Sequence, residues 1–280
     1  MKQQVNYIIS ELRGFFPEEE LRELAYWIIE ETTGMTRTQI LTDCKGTQNI
    51  PNIEIILQKL RAHVPIQYIF AHTEWMGLDL RVTPATLIPR PETAELVEWV
   101  LQMGDRDKQL KVLDIGTGSG CIALALKKAA PNWDVTGLDI SEDALQVAKE
   151  NAGRNNVEVH WLQADILSPH CPVASSPRHL YFDIIVSNPP YICNCEKKDM
   201  DARVLDYEPH SALFVPDTDP LLFYRQIASL ATSPAMLFFE INEAYGSEVC
   251  EMMAKMGYTD IQLKNDMYGK PRMVYGSITR

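Results

Sequence analysis

Residues 110–126 read LKVLDIGTGSGCIALAL, and this stretch decides the fold. The apolar run Leu110–Ile115 predicts a buried strand, Gly116–Gly120 predicts a tight loop, and the residues from Cys121 onward predict a helix. A strand, a glycine loop and a helix in this order open a nucleotide-binding βαβ unit. Glycine has no Cβ, so the loop backbone can approach a ligand closely.

The residues after this loop narrow the choice of ligand. A second strand, Val135–Leu138, is followed by Asp139, about 20 residues past the loop, where an acidic residue can bind ribose hydroxyls. The dinucleotide fingerprint would place its third glycine at position 121, which is Cys121. A pyrophosphate cradle is therefore disfavoured. S-adenosylmethionine, which has a ribose but no phosphate, fits the pattern.

A second motif follows the apolar run Phe182–Ser187, which predicts another buried strand. It reads Asn188-Pro189-Pro190-Tyr191. Neither proline has an N–H donor, and a residue before proline is biased to an extended conformation, so the corner is rigid and rich in acceptors. Such a corner suits a flat group with two N–H donors, such as an amide or an aromatic amine. A plain proline turn is the alternative for these four residues alone.

The rest of the chain predicts an α/β fold with three parts. Apolar residues spaced i, i+3, i+4 and i+7 predict a small all-helical bundle over residues 1–70. Residues 71–90 predict a β-hairpin linker bent at Gly77. Strands and helices alternate over residues 91–280, which predicts a Rossmann-like, mostly parallel sheet with helices on both faces. The bundle is either a structural cap or a docking module.

Charge and composition limit the partners. The net charge of the 280 residues is −12, which disfavours a partner recognised mainly through phosphates. We therefore expect no stable nucleic-acid binding. The sequence has no apolar run long enough to span a bilayer and no signal peptide at its start, so we expect a cytoplasmic protein without a membrane partner. Cysteines and histidines show no metal-ligand spacing, and we predict no metal site.

Together these motifs resemble the HemK-type protein-(glutamine-N5) methyltransferases of peptide chain release factors. The resemblance covers nearly the whole chain and rests on five segments: Leu87–Thr93, Asp114–Gly120, Asp139–Ser141, Ser187–Tyr191 and Tyr207–Leu213. It implies a class I methyltransferase that uses S-adenosyl-L-methionine to methylate the glutamine of a Gly-Gly-Gln motif. It also implies that the helical bundle docks the release factor. We expect the enzyme to be a monomer.

The resemblance also implies roles for particular residues. The predicted catalytic residues are Asn188, Pro189 and Tyr191. The predicted substrate-binding residues are Asn188, Pro189, Pro190, Tyr191 and Glu208. The predicted cofactor-binding residues are Gly116, Thr117, Gly118, Ser119, Gly120, Asp139, Asp165, Ile166 and Asn188. Two positions depart from the family pattern: Ile166 stands where an aromatic residue is frequent, and Asn242 stands where glycine is frequent.

Our hypothesis for the chemistry is catalysis by positioning. The Asn188 oxygen and the Pro189 carbonyl each accept one N–H of the substrate amide, and Tyr191 stacks on its plane. The charged pair Arg90 and Glu92 is either an ordinary salt bridge or part of a segment that closes over the cofactor. Adenine-N6 methylation of DNA or RNA is the alternative function, because an exocyclic amine suits the same corner. A non-enzymatic interaction module is a further alternative, although such proteins usually lose the motif glycines or the asparagine.

Overall fold

The computed structural model describes residues 1–43, 50–175, 181–231 and 235–278. The chain divides into two compact units. One comprises Met1–Ala71 together with Ala202–Tyr207, and the other comprises His72–Asp201 together with Glu208–Arg280. No helix among the described residues is long and apolar enough to cross a membrane.

The elements alternate along the larger unit, as the sequence predicted. The helices are α1 (Lys2–Leu12), α2 (Glu18–Thr33), α3 (Arg37–Thr42), α4 (Ile53–Arg61), α5 (Ile66–Phe70), α6 (Pro91–Met103), α7 (Cys121–Ala129), α8 (Glu142–Asn155), α9 (Pro172–Ser175), α10 (Ala202–Leu205), α11 (His210–Leu213), α12 (Leu222–Ala228) and α13 (Gly246–Lys255). The strands are β1 (Thr73–Trp75), β2 (Leu78–Leu80), β3 (Lys111–Ile115), β4 (Asp134–Asp139), β5 (His160–Gln163), β6 (Ile184–Ser187), β7 (Ile192–Cys193), β8 (Phe214–Val215), β9 (Ala235–Glu240), β10 (Thr259–Asn265) and β11 (Pro271–Ile278). Short 3₁₀ helices cover Asn194–Asp199 and Glu243–Tyr245.

The smaller unit is helical, as predicted, and has a core of its own made from the apolar faces of α1, α2 and α4. Thr36 begins α3 with a capping box, because its hydroxyl accepts the Gln39 N–H while the Gln39 side chain accepts the Thr36 N–H. Such a box satisfies two donors that a helix start leaves without partners.

The segment Ala202–Tyr207 belongs to this helical unit, although the sequence placed it with the larger one. Arg203 pairs with Glu20 at 2.9 Å, and the Tyr207 hydroxyl donates to the Ala62 carbonyl at 2.5 Å. Both contacts join residues more than a hundred positions apart, and local sequence patterns carry no sign of such pairings.

A seven-stranded sheet forms the centre of the larger unit, in the order β10-β11-β9-β6-β3-β4-β5. The five strands from β9 to β5 run parallel, and β11 and β10 complete the sheet in antiparallel orientation. Ile115 pairs with Ser187, and Ser187 pairs with Phe239, so β3, β6 and β9 end side by side. Ligands of open α/β sheets bind outside such carboxyl ends.

Both faces of the central strands are buried, which explains why β3, β6 and β9 are largely apolar runs rather than alternating patterns. Val112 and Phe238 pack in one hydrophobic cluster with α6 and α7. Their neighbours Leu113 and Phe239 pack in the opposite cluster with α12 and α13. The predicted architecture is confirmed. Strand β5 is His160–Gln163, although the alternation of apolar and polar residues in the sequence predicts a strand over Val157–Leu162.

The predicted hairpin forms, but it is more than a connector. Strands β1 and β2 pair around Met76 and Gly77, whose φ angles of 48° and 70° lie in the left-handed region. Trp75 and Leu80 are buried in the core of the larger unit. Asn151 clamps the end of the hairpin, because its amide accepts the Arg81 N–H at 2.7 Å and donates to the Arg81 carbonyl at 2.9 Å.

Candidate active site

The glycine loop joins β3 to α7 and has positive φ at Gly116, Gly118 and Gly120, with values of 73°, 54° and 82°. A Cβ added at Gly116 or Gly118 would meet no protein atom closer than 3.9 Å, so a ligand can approach the backbone there. A Cβ at Gly120 would instead lie 3.0 Å from the Trp161 ring. Gly120 therefore allows close packing of the loop against the protein.

The loop opens onto a cavity of about 370 Å³ at the carboxyl edge of the sheet. Most of the predicted site residues line it: Gly116, Thr117, Gly118, Ser119, Asp139, Asp165, Ile166, Asn188, Pro189 and Pro190. Gly120, Tyr191 and Glu208 do not line it. The structure thus brings the predicted cofactor residues and the asparagine corner to one cavity.

Asp139 ends β4 and faces the glycine loop. Its carboxylate accepts the Gly118 N–H at 2.8 Å and the Ser141 N–H at 2.9 Å. Burial raises the pKa of Asp139, while these backbone donors act in the opposite direction. Each carboxylate oxygen retains acceptor capacity beyond these bonds, so the group can still bind a pair of hydroxyls.

Asp165 and Ile166 follow β5. Asp165 is exposed and holds its own turn, because Oδ1 accepts the Leu167 N–H at 2.8 Å. Ile166 is 8% exposed and lines the cavity. It offers an apolar contact for one face of a planar ring, and lacks the stacking surface of the aromatic residue frequent in the family.

Behind the loop lies Asp114, a fully buried acid. One oxygen, Oδ2, accepts the Thr117 hydroxyl at 2.6 Å and the Ala123 N–H at 3.2 Å. Burial raises the pKa of Asp114 to about 7. Among the described residues, neither Asp114 Oδ1 nor Ser119 Oγ has a hydrogen-bond partner, although both atoms are buried. Ser119 lines the cavity, so a polar ligand group is the partner its hydroxyl can take.

The corner begins where β6 ends. The Ser187 hydroxyl donates to the Ile115 carbonyl at 2.7 Å and fastens this strand end to β3. The Asn188 Nδ2 donates to Thr93 Oγ1 at 3.3 Å. Within the described part of the chain, no donor bonds to Asn188 Oδ1 or to the Pro189 carbonyl. Two acceptors at the cavity wall are therefore available to a ligand.

Tyr191 is anchored by its hydroxyl group and by the packing of its ring. Its hydroxyl donates to Glu240 Oε1 at 3.1 Å, and its ring packs against the core beside α12 and α13. Burial, followed by the nearby Glu240 charge, raises the pKa of Tyr191 well above its usual value. Because Tyr191 does not line the cavity, the geometry favours a role in anchoring the corner over stacking on a substrate.

Glu208 is 4% exposed, and both its oxygens are engaged by protein groups. Oε2 accepts the Ile88 N–H at 3.2 Å, and Oε1 pairs with Arg90. The expected pair of Arg90 with Glu92 is thus replaced by a pair with Glu208. This carboxylate holds the segment 85–90, most of which lines the cavity, so its influence on a substrate passes through that segment.

Asn242, the second departure from the family pattern, has a structural role, because its side chain makes several hydrogen bonds. Its Nδ2 donates to the Tyr191 carbonyl at 3.2 Å and to the Glu196 carboxylate at 3.1 Å. Glu196 in turn accepts the Cys193 N–H at 2.7 Å. A glycine could make none of these side-chain bonds, so Asn242 fastens the segment that follows the corner.

Sequence reasoning missed two residues of the site. Thr93 is 3% exposed and donates its hydroxyl hydrogen to Glu240 Oε2 at 2.6 Å. Glu240 is 1% exposed and ends β9, the strand beside β6. The apolar residues of Ala235–Glu240 by themselves predict a strand there. An acidic residue at the end of a buried parallel strand was the signal available.

The fold, with its glycine loop and its cavity at the carboxyl edge of the sheet, is that of the Rossmann-like class I methyltransferases. The model of the family "Methyltransferase small domain" matches residues 94–206. A solved methyltransferase from Pyrococcus furiosus is 19% identical with a TM-score of 0.52, over 81% of this chain and 96% of that one. A Thermus thermophilus 16S rRNA N2 G1207 methyltransferase is 16% identical with a TM-score of 0.53, over 74% of this chain and 49% of that one. These likenesses concern the fold alone.

Relatives identify the family. The release factor glutamine methyltransferase of Flavobacterium psychrophilum is 42% identical over 95% of both chains. That of Bacteroides thetaiotaomicron is 41% identical over 96% of both chains. The chain belongs to the release factor glutamine methyltransferases.

Proposed function

We propose that this enzyme transfers a methyl group from S-adenosylmethionine to the side-chain amide nitrogen of a glutamine in peptide chain release factors, and that Asn188 and Pro189 present that amide. Family membership supports the reaction and the substrate. The observation that carries the assignment of residues is the pair of available acceptors, Asn188 Oδ1 and the Pro189 carbonyl, at the wall of the cavity.

The corner suits a primary amide because that group has two N–H donors in one plane. Asn188 Oδ1 accepts one N–H and the Pro189 carbonyl accepts the other. These bonds fix the nitrogen and direct its lone pair toward the methyl group. A carboxamide nitrogen is a weak nucleophile, and orientation of this kind can lower a bimolecular barrier by about 7–11 kcal/mol. The N–C bond would form as the S–C bond of the bound methyl donor breaks, and the proton released from the amide nitrogen would pass to solvent.

S-adenosylmethionine supplies an electrophilic sulfonium methyl when it is bound. Three observations support the fit of the cavity residues to S-adenosylmethionine. Gly116 and Gly118 present backbone with no Cβ in the way. Asp139 retains acceptor capacity for the ribose hydroxyls. Ser119 has a buried hydroxyl in the cavity lining that lacks a protein partner among the described residues. Asp165 and Ile166 would contact the adenine.

The helical unit would serve as the docking module for the release factor. Three large apolar side chains on it are exposed: Phe15 (44%), Leu41 (65%) and Ile55 (55%). Single exposed apolar side chains are ordinary on protein surfaces, so the docking role is proposed mainly from family membership.

A methylation assay tests the residue assignment. Asn188→Ala should bind S-adenosylmethionine normally and lose turnover on a release factor by about 10²–10³, as when one preorganised hydrogen-bonding group is removed from a reacting centre. Asn132→Ala is the matched control, because Asn132 is exposed and does not line the cavity. Normal turnover of Asn188→Ala would refute the proposed role.

The same assay separates glutamine from adenine methylation. The charged residues that line the cavity within the described chain are Arg90, Asp139 and Asp165, and Arg90 is paired with Glu208. This lining gives little attraction for a phosphate backbone. Methyl transfer to a release factor and none to DNA or RNA is the expected result. Lack of stable nucleic-acid binding, a monomeric state and a cytoplasmic location stay predictions.

A further inference from the structure

We propose that Thr93 and Glu240 are positioning residues that hold the Asn188 amide in the one orientation in which its oxygen faces the substrate. The inference rests on the proposed role of Asn188. Asn188 Nδ2 donates to Thr93 Oγ1 at 3.3 Å, and Thr93 Oγ1 donates to Glu240 Oε2 at 2.6 Å. The three side chains therefore form one hydrogen-bonded chain.

The carboxylate sets the direction of this chain. An ionised carboxylate only accepts hydrogen bonds, so Glu240 takes the single hydroxyl hydrogen of Thr93. The Thr93 oxygen has no second hydrogen and can only accept from Asn188. The partner it selects is the NH₂ end of the amide, and Asn188 Oδ1 is left for the substrate.

This direction matters because the two ends of an asparagine amide have nearly the same shape. Rotated by half a turn, Asn188 would point Nδ2 at the substrate. Two N–H groups would then face each other where the reaction requires an acceptor and a donor. Each turnover needs the correct orientation, and Thr93 disfavours the reversed one, because Asn188 Oδ1 would then face the Thr93 oxygen with no hydrogen between them.

The hydrogen-bond geometry around Glu240 is that of an acceptor, because hydroxyl groups of Thr93 and Tyr191 point at its two oxygens. Burial raises the pKa of Glu240, while the bonds from Thr93 and Tyr191 and the positive charge of Arg272 act in the opposite direction. Tyr191 donates to the other oxygen at 3.1 Å, so each carboxylate oxygen receives one hydroxyl. The same carboxylate thus restrains the corner at both ends, at Asn188 through Thr93 and at Tyr191 directly.

A double-mutant cycle tests whether Thr93 acts through Asn188. Thr93→Val keeps the shape and removes the hydroxyl. We expect kcat on a release factor to fall on the order of 10–100-fold, the size expected for a misplaced reacting group. The KM for the release factor and the affinity for S-adenosylmethionine should change less than kcat. Thr93→Ser keeps the hydroxyl and should recover most of the lost rate.

In the Asn188→Ala background, Thr93→Val should have little further effect, because the group it orients is gone. An equal loss in both backgrounds would overturn the inference, since Thr93 would then act independently of Asn188. A normal kcat for Thr93→Val beside an impaired Asn188→Ala would also overturn it and leave the proposed function standing. A normal Asn188→Ala would refute the proposed function itself.

Glu240→Gln is a second variant for the same test. If Thr93→Val fails to bind the cofactor, a double-mutant cycle of Glu240→Gln with Asn188→Ala shows whether the hydrogen-bonded chain acts through Asn188. A glutamine at this position can donate to Thr93, which frees the hydroxyl to donate toward Asn188 and permits the reversed orientation. We expect a loss of kcat that disappears in the Asn188→Ala background. A wild-type kcat for Glu240→Gln would show that the acceptor at the end of β9 does not set the orientation.

Discussion

The buried acid Asp114 makes stability depend on pH in a way that one substitution should remove. Its pKa is raised from 3.8 to about 7 because the side chain is fully buried behind the glycine loop. The folded state therefore holds this proton more tightly than the unfolded state. The stabilisation from that proton is complete below about pH 4 and is lost as the pH rises through about 7.

The magnitude follows from the two pKa values. A shift of one pKa unit corresponds to about 1.4 kcal/mol. Between pH 5 and pH 8, the contribution of Asp114 to the free energy of unfolding should fall by about 2–3 kcal/mol. Asp114→Asn does not titrate, and its side-chain oxygen can still accept from Thr117 and Ala123. The stability of Asp114→Asn relative to the wild type should thus rise by that amount over the range.

Urea denaturation at several pH values measures the difference, provided both proteins have the same dependence on urea concentration. Other titrating groups cancel in the comparison. Thr117→Val removes a hydrogen bond that lowers the pKa of Asp114, so it should move the loss of stability to higher pH, while Thr117→Ser should not. A stability difference between Asp114→Asn and the wild type that stays constant from pH 5 to pH 8 would refute the reasoning.

Three further substitutions have expected outcomes. Asp139→Ala should weaken S-adenosylmethionine binding in a titration, and unchanged affinity would remove Asp139 from the cofactor site. Gly137→Ala would place a Cβ 2.5 Å from the Trp161 ring, so it should destabilise the fold by about 1–3 kcal/mol in thermal or urea unfolding. Gly153→Ala is the control: it lies at an open helical site and should stabilise the fold by about 0.5–1 kcal/mol. Asn242→Gly removes the hydrogen bonds to Tyr191 and Glu196, so it should raise the KM for the release factor and leave cofactor affinity unchanged. An unchanged KM would show that these hydrogen bonds do not affect substrate binding.

Local sequence patterns were sufficient where the function depends on a strand end. The strand β3, the glycine loop and the start of α7 are contiguous, so their order alone predicted a ligand site. Asp139 and Asn188 were found for the same reason, because each directly ends or follows an apolar strand and both line the cavity.

Side-chain partners could not be predicted because they depend on the order of strands in the sheet. Thr93 and Glu240 are 147 residues apart in sequence and meet because α6 begins near the end of β9. The sequence around Tyr191 does not indicate that the Tyr191 hydroxyl donates a hydrogen bond to Glu240. Glu208 was predicted to bind the substrate, but the structure pairs it with Arg90, 118 positions away in the sequence, and it does not line the cavity.

The order of strands in the sheet also explains how one edge can hold both the proposed cofactor site and the proposed amide site. Neighbouring strands lie about 4.8 Å apart, so groups that follow β3 and β6 are within a few ångströms of each other. The glycine loop follows β3, and the corner that we propose binds the amide follows β6. Glu240 ends β9 on the far side of β6, where it can orient the corner without occupying the cavity. The acceptors themselves would suit an adenine amine equally well. Selection of a glutamine must therefore come from residues outside the corner, through docking of the protein substrate and exclusion of a larger base.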